Sequence, residues 1–227
     1  NVKKYKSRLP AVILVHGWSP YGTRAGEPYT YAAKEYAEKG GFIALAVTLR
    51  GWPETGGKDA CGLKQPHDIV KAAKWLAEQP GVDPKKIALR GQSLGGQVAL
   101  SAAALDDIIK ATAAYFPITD FRLWGVTTSL PQAVLDDYIY GMCTKSGTPE
   151  DRSPLYASQN IKGAVMLLHG ENDTNVILAH SKLIHQKMIE NSQDSTLYIA
   201  KKGGHGSGGP GWEDHNKIVF EFFNEKL

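Results

Sequence analysis

The stretch ALRGQSLGGQVAL, residues 88–100, sets one serine among three glycines at the end of an apolar run. It reads as G-x-S-x-G, with Gly91, Ser93 and Gly95 in the pattern and Gly96 following. Such a pattern places a serine on a sharp strand-to-helix turn, where small neighbours let backbones approach closely. The chain has 24 glycines in 227 residues, so the match alone carries little and needs context. That context stands on both sides. KIALRG, residues 86–91, reads as a short strand, and GGQVALSAAAL, residues 95–105, as a small-residue helix. Helix entry just after Ser93 also aims unbonded backbone N–H groups at the hydroxyl's surroundings.

Outward from this turn, strand and helix alternate. AVILVHG (11–17), FIALAVTL (42–49), IKATAAYFP (109–117), AVMLLHG (164–170) and STLYIA (195–200) read as buried strands, six in all with KIALRG. Helical patterns fall at 29–41, 67–81, 177–190 and 213–225. The alternation predicts an α/β three-layer sandwich, helices on both faces of a mostly parallel sheet of about six to eight strands. At 227 residues the chain suits a single domain over 1–227. Residues 118–160 break the alternation and predict a cap inserted over the carboxyl ends of the strands, where ligands of open parallel sheets bind.

Hydrophobic content of 42%, charge of 22% and a net charge of +3 are ordinary for a globular protein. They give no reason to expect nucleic acid, and no apolar run has the length of a membrane span. Cys61 and Cys143 read by default as two thiols; a bond between them would close a long loop worth about 4 kcal/mol. No histidine–carboxylate set has metal-ligand spacing, so neither metal nor cofactor is expected. Compartment and oligomeric state stay open.

A serine hydroxyl needs a base to take its proton and an acid to orient that base. After a nucleophile elbow the order is Ser, then Asp or Glu, then His. Past Ser93, the loop after residue 170 offers Glu171 and Asp173, with Asp173 favoured because it sits further along the turn. Asp120 is a third candidate. The glycine-rich loop KKGGHGSGG, residues 201–209, then offers His205. Among the other histidines, His180, His185 and His215 are expected on helix surfaces, His67 in a helix cap, and His16 and His169 packed at strand ends. The backbone N–H groups of Leu94 and Trp18 are the expected oxyanion donors. Trp52, Trp124 and Tyr138 are expected to bind substrate, with Tyr21, Tyr140 and Trp212 as further aromatics for the pocket mouth.

With these residues assembled, the sequence resembles the α/β-hydrolase superfamily, and within it the catalytic domain of the prolyl-oligopeptidase family and its esterase relatives. VHGW, TLRGWPETGG, GQSLGG, SPLYASQNIKGAVMLLHGENDTNV and GGHG carry the resemblance over nearly the whole chain. It implies a Ser93, Asp173, His205 triad. Two departures stand out. Peptidases of that family commonly carry an oxyanion-binding tyrosine where this chain has His16, which favours an esterase-like hole of backbone groups. Related folds also begin with antiparallel strands that the ten residues before Ala11 do not supply, so the chain is either a compact version or lacks upstream residues. The expected function is a serine carboxylesterase acting on small-molecule esters, with acetyl and aryl or feruloyl groups as candidates. A peptidase or amidase, and a non-catalytic binding protein on the same scaffold, remain open.

Overall fold

The computed structural model describes residues 7–18, 27–136 and 147–227. Six parallel strands form one sheet: β1 (Leu9–Val15), β2 (Ile43–Val47), β3 (Val82–Gln92), β4 (Ile109–Tyr115), β5 (Ala164–Gly170) and β6 (Ser195–Ala200), in the order β2-β1-β3-β4-β5-β6. The helices are α1 (Glu27–Glu38), α2 (Gln65–Ala77), α3 (Leu94–Leu105), α4 (Phe121–Thr127), α5 (Gln132–Leu135), α6 (Ala179–Glu190) and α7 (His215–Lys226). Three single-turn 3₁₀ segments follow between residues 150 and 160.

The apolar runs become central strands because both sheet faces are covered. Along β1, Ala11, Ile13 and Val15 enter the core shared with α2, α3 and α6, whereas Val12 and Leu14 enter the core shared with α1 and α7. All five are fully buried, as an alternating pleat between two helical layers requires. The sheet fills outward from β1 in both directions, so strand order reverses between β1 and β3. The register there pairs Val15 with Gly91. The loops leaving β1 and β3 therefore part on opposite sides and open a crevice beyond the carboxyl ends, where such sheets bind ligands.

Two expectations need correction. Cys61 is disulfide-bonded rather than a thiol; the only other cysteine in the sequence, Cys143, lies outside the described residues. The helix histidines are less exposed than expected. His180 is fully buried, His185 is half-buried with Nδ1 2.9 Å from Ser195 Oγ, and His215 is half-buried with Nδ1 3.2 Å from Tyr115 Oη.

Candidate active site

Ser93 sits at the junction of β3 and α3 with φ 55° and ψ −121°, a strained conformation for a residue with a side chain. The flanking glycines make the turn possible. A Cβ on Gly91 would lie 2.1 Å from the Gly95 carbonyl oxygen, and one on Gly95 would lie 2.3 Å from that of Val15. The Ser93 hydroxyl makes no capping bond to its own helix. It is turned to the histidine loop instead: Ser93 Oγ lies 3.1 Å from His205 Nε2.

His205 Nδ1 lies 2.8 Å from Asp173 Oδ2. A carboxylate only accepts, so Nδ1 carries the ring proton and Nε2 is the lone pair facing the serine. The Asp173 side chain is fully buried while 22% of the His205 side chain is exposed. The other carboxylate oxygen, Oδ1, accepts from the backbone N–H groups of Asn175 at 3.0 Å and Val176 at 2.9 Å. The two loops are tied to each other as well. Asn172 N donates to Gly203 O at 2.8 Å, and Glu171 N to Ala200 O at 3.0 Å. Residues 93, 173 and 205, far apart in sequence, are thus brought onto one rim by β3, β5 and β6.

The competing acids lie elsewhere. Asp120 caps α4, its Oδ1 accepting from Arg122 N at 2.9 Å, and its Oδ2 accepts from Tyr156 Oη at 3.0 Å. Glu171 turns outward and accepts from Lys202 N at 3.2 Å.

His169, at the end of β5, stands behind the acid. Its Nε2 donates to Val176 O at 2.7 Å and lies 3.6 Å from Asp173 Oδ2. Its Nδ1 lies 2.7 Å from Ser181 Oγ. Burial holds its pKa below the ordinary value, so the ring is neutral near pH 7. His16 is also buried and lowered by burial. Its Nε2 accepts from Leu49 N at 3.0 Å, and its Nδ1 donates to Gly17 O at 2.8 Å. The imidazole is therefore spent on bracing the loop after β1 and offers no donor to a substrate oxygen. That loop passes against the nucleophile: a Cβ on Gly17 would lie 3.3 Å from Ser93 Cβ.

Ser93 and His205 open onto a cavity of about 410 Å³, with Trp18 and Leu94 at the same mouth. Ile118, Trp124, Leu130, Pro131 and Val134 form its outer wall, and Asn175 and Val176 close it on the acid side. Among the described residues that line it, none carries a carboxylate, ammonium or guanidinium group. Trp124 is among these lining residues. Trp52 is not: it is buried edge-on against His16, ring centroids 4.9 Å apart, and does not line the cavity. Trp212 is buried in the core under α7, against Tyr115 and Phe116. Tyr21, Tyr138 and Tyr140 lie outside the described residues. The sequence reading missed Leu130 and Val134, although their i, i+4 spacing in SLPQAVL is a one-faced apolar signal. Among the described residues, no group of three or more His, Cys, Asp or Glu side chains is placed to hold a metal ion.

The sequence pattern of the prolyl oligopeptidase family matches residues 28–227. The chain belongs to this family. Dipeptidyl aminopeptidase BIII of Pseudoxanthomonas mexicana is 25% identical over 228 residues, covering 92% of this chain and 32% of that protein. Inactive dipeptidyl peptidase 10 of Mus musculus is 24% identical over 168 residues, covering 73% of this chain and 20% of that protein. The chain therefore spans about a fifth to a third of the length of these family relatives. Among solved structures, a puromycin-hydrolyzing peptidase of Mycobacterium tuberculosis shares the α/β-hydrolase fold. It superposes with a TM-score of 0.83 at 22% identity, covering 98% of this chain and 35% of that one.

Proposed function

We propose that the chain is a serine hydrolase that cleaves carboxylic esters with a small apolar or aryl acyl group through an acyl-enzyme on Ser93. One observation carries this reading: the hydrogen-bonded series Ser93–His205–Asp173 opens directly onto an apolar cavity. His205 Nε2 takes the hydroxyl proton as Ser93 Oγ attacks the ester carbonyl, and Asp173 stabilises the imidazolium. The oxyanion is received by the N–H groups of Leu94, first in α3, and Trp18, in the loop braced by His16. Imidazolium then protonates the departing alkoxide, and water, deprotonated by the same ring, releases the acid from Ser93.

Ester rather than amide is favoured by His16. It contributes no hydroxyl or N–H to the oxyanion site, and among the described residues the backbone N–H groups of Leu94 and Trp18 are the donors assigned to the charge. The uncharged cavity lining selects the acyl group. Ile118, Trp124, Leu130, Pro131 and Val134 act as the acyl-binding wall, part of the proposed cap. A second reading, cleavage of a peptide or other amide bond, is favoured by the dipeptidyl aminopeptidase relative. A third, a binding protein without turnover, draws on the relative named as inactive. However, the three side chains are present and within hydrogen-bond reach here.

Hydrolysis of p-nitrophenyl butyrate compared with a p-nitroanilide of the same acyl group separates the first two readings. Turnover of the ester at least about a hundredfold faster is expected, and faster anilide cleavage reverses the order. A fluorophosphonate probe separates the third: the chain should label, and Ser93→Ala should not.

A further inference from the structure

The two N–H groups that hold Asp173 Oδ1 belong to two successive peptide units, and the carbonyl of each is held by the 118–136 segment. In the Asn175–Val176 peptide, Val176 N–H donates to Asp173 Oδ1 at 2.9 Å while Asn175 O accepts from Trp124 Nε1 at 2.8 Å. In the Thr174–Asn175 peptide, Asn175 N–H donates to Asp173 Oδ1 at 3.0 Å while Thr174 O accepts from Ser129 N at 2.9 Å. Ser129 adds a side-chain link, its Oγ 2.9 Å from Asn175 Oδ1 and 3.1 Å from Thr174 Oγ1. A hydrogen bond at a peptide carbonyl polarises the unit and strengthens its N–H as a donor. Two chains of such bonds thus run from the outer wall of the cavity, through one peptide each, to a single carboxylate oxygen. The same Trp124 supplies ring surface to the cavity and the N–H that starts one chain.

We infer that Trp124 is a positioning residue that couples the filling of the acyl cavity to the orientation of the Asp173 carboxylate. This rests on the hydrolase reading above. An acyl group packed on the Trp124 ring holds the indole in place. The indole N–H then fixes the Asn175–Val176 peptide, and that peptide fixes the carboxylate against which His205 turns. Acyl groups too short to reach the wall leave the chain of bonds slack. Selectivity therefore shows in turnover as well as in binding, which a passive apolar wall does not produce.

Trp124→Phe keeps an aromatic wall and removes the indole N–H. Ser129→Pro removes the second carbonyl donor together with both Oγ links, so its effect should be at least that of losing one bond. The position is preceded by Thr128, whose φ of −69° and ψ of 144° suit a residue before proline. Thr127→Val, on the same helix and away from the cavity, controls for disturbance of α4. Three quantities are measured on each folded variant: kcat and KM for p-nitrophenyl acetate and butyrate, the rate of fluorophosphonate labelling, and the downfield NMR signal of the His205 Nδ1 proton. Loss of one such bond is expected to lower kcat for butyrate about five- to tenfold with KM within about twofold. Labelling should slow in proportion, the proton signal should move or broaden, and the kcat advantage of butyrate over acetate should shrink. Thr127→Val should behave as wild type. The inference is overturned if Trp124→Phe and Ser129→Pro raise KM alone, with kcat, labelling and proton signal at wild-type values. If the wild type neither turns over nor labels, the hydrolase reading falls. The proton signal then tests the Trp124–Asp173 link by itself.

Discussion

Gly95 lies so close beneath the end of β1 that a Cβ on it would stand 2.4 Å from the His16 carbonyl oxygen. The obstacle is backbone on both sides, because the Val15 carbonyl oxygen would lie at 2.3 Å. Nothing there can rotate aside. Gly95→Ala is therefore expected to push α3 away from β1, separating Leu94 at the start of α3 from the loop that carries Trp18. Overpacking of this kind costs about 2 kcal/mol, and displacing the proposed oxyanion donors should lower kcat by at least about tenfold. Urea unfolding together with ester turnover measures both, and a variant with unchanged midpoint and kcat would contradict the contact.

Ser93 holds φ 55° and ψ −121° on a residue with a Cβ. Replacing the hydroxyl tests the chemistry, and replacing the Cβ tests the strain. Ser93→Ala should lower kcat by about 10⁴ or more while leaving the fold intact. Ser93→Gly should be equally inactive yet more stable than Ser93→Ala by about 1 kcal/mol. Glycine relieves strain at positive φ by more than it loses in unfolded-chain entropy. Thermal unfolding of the two inactive variants gives the comparison directly; equal stability would mean the elbow is not strained.

Val134 lines the cavity from α5, and Leu130 lines it from just before that helix. A larger side chain there should shorten the acyl group accepted. Val134→Trp is expected to reduce kcat/KM for a p-nitrophenyl hexanoate about tenfold relative to the acetate. An unchanged acyl-length profile would place the acyl group in some other part of the crevice.

Most of the scaffold was legible in the sequence because two-sided burial writes itself as continuous apolar runs, and each of the six runs became a strand. The elbow was legible because its glycines answer to backbone collisions that no other residue survives. The choice of Asp173 over Glu171 came from position along the turn, and the structure adds the cause: Asp173 is turned inward by two N–H groups, Glu171 outward to Lys202 N. What failed was the placement of Trp52, Trp212 and the helix histidines. Trp52, Trp124 and Trp212 are all buried, and only packing decides that one faces a cavity while two face the core. His180 was misplaced despite a usable signal. It shares the inward face of α6 with Ile184 and Met188 at i+4 and i+8. The hold of Trp124 on the acid turn left no sequence trace, because it runs through backbone carbonyls.

That buried histidine has a measurable consequence. His180 is fully buried, and its Nδ1 accepts from Thr119 N at 3.3 Å and Asp120 N at 3.4 Å. Burial, reinforced by the neighbouring His169, lowers its pKa from 6.5 to about 4. Between these values the unfolded chain binds a proton that the folded chain does not, so protons favour unfolding. Stability should be at its full value above pH 6.5 and fall as the pH drops towards 4, by an amount on the order of 3 kcal/mol for this group. His16 and His169, also lowered by burial, push in the same direction. His180→Leu strands two backbone N–H groups and should lower stability at every pH, but it cannot titrate. The difference between urea midpoints at pH 7 and pH 4.5 should accordingly be smaller in the variant, by about 2 kcal/mol in stability. An identical acid-induced loss in both proteins would mean that His180 is protonated in the folded chain, or reaches solvent, before unfolding begins.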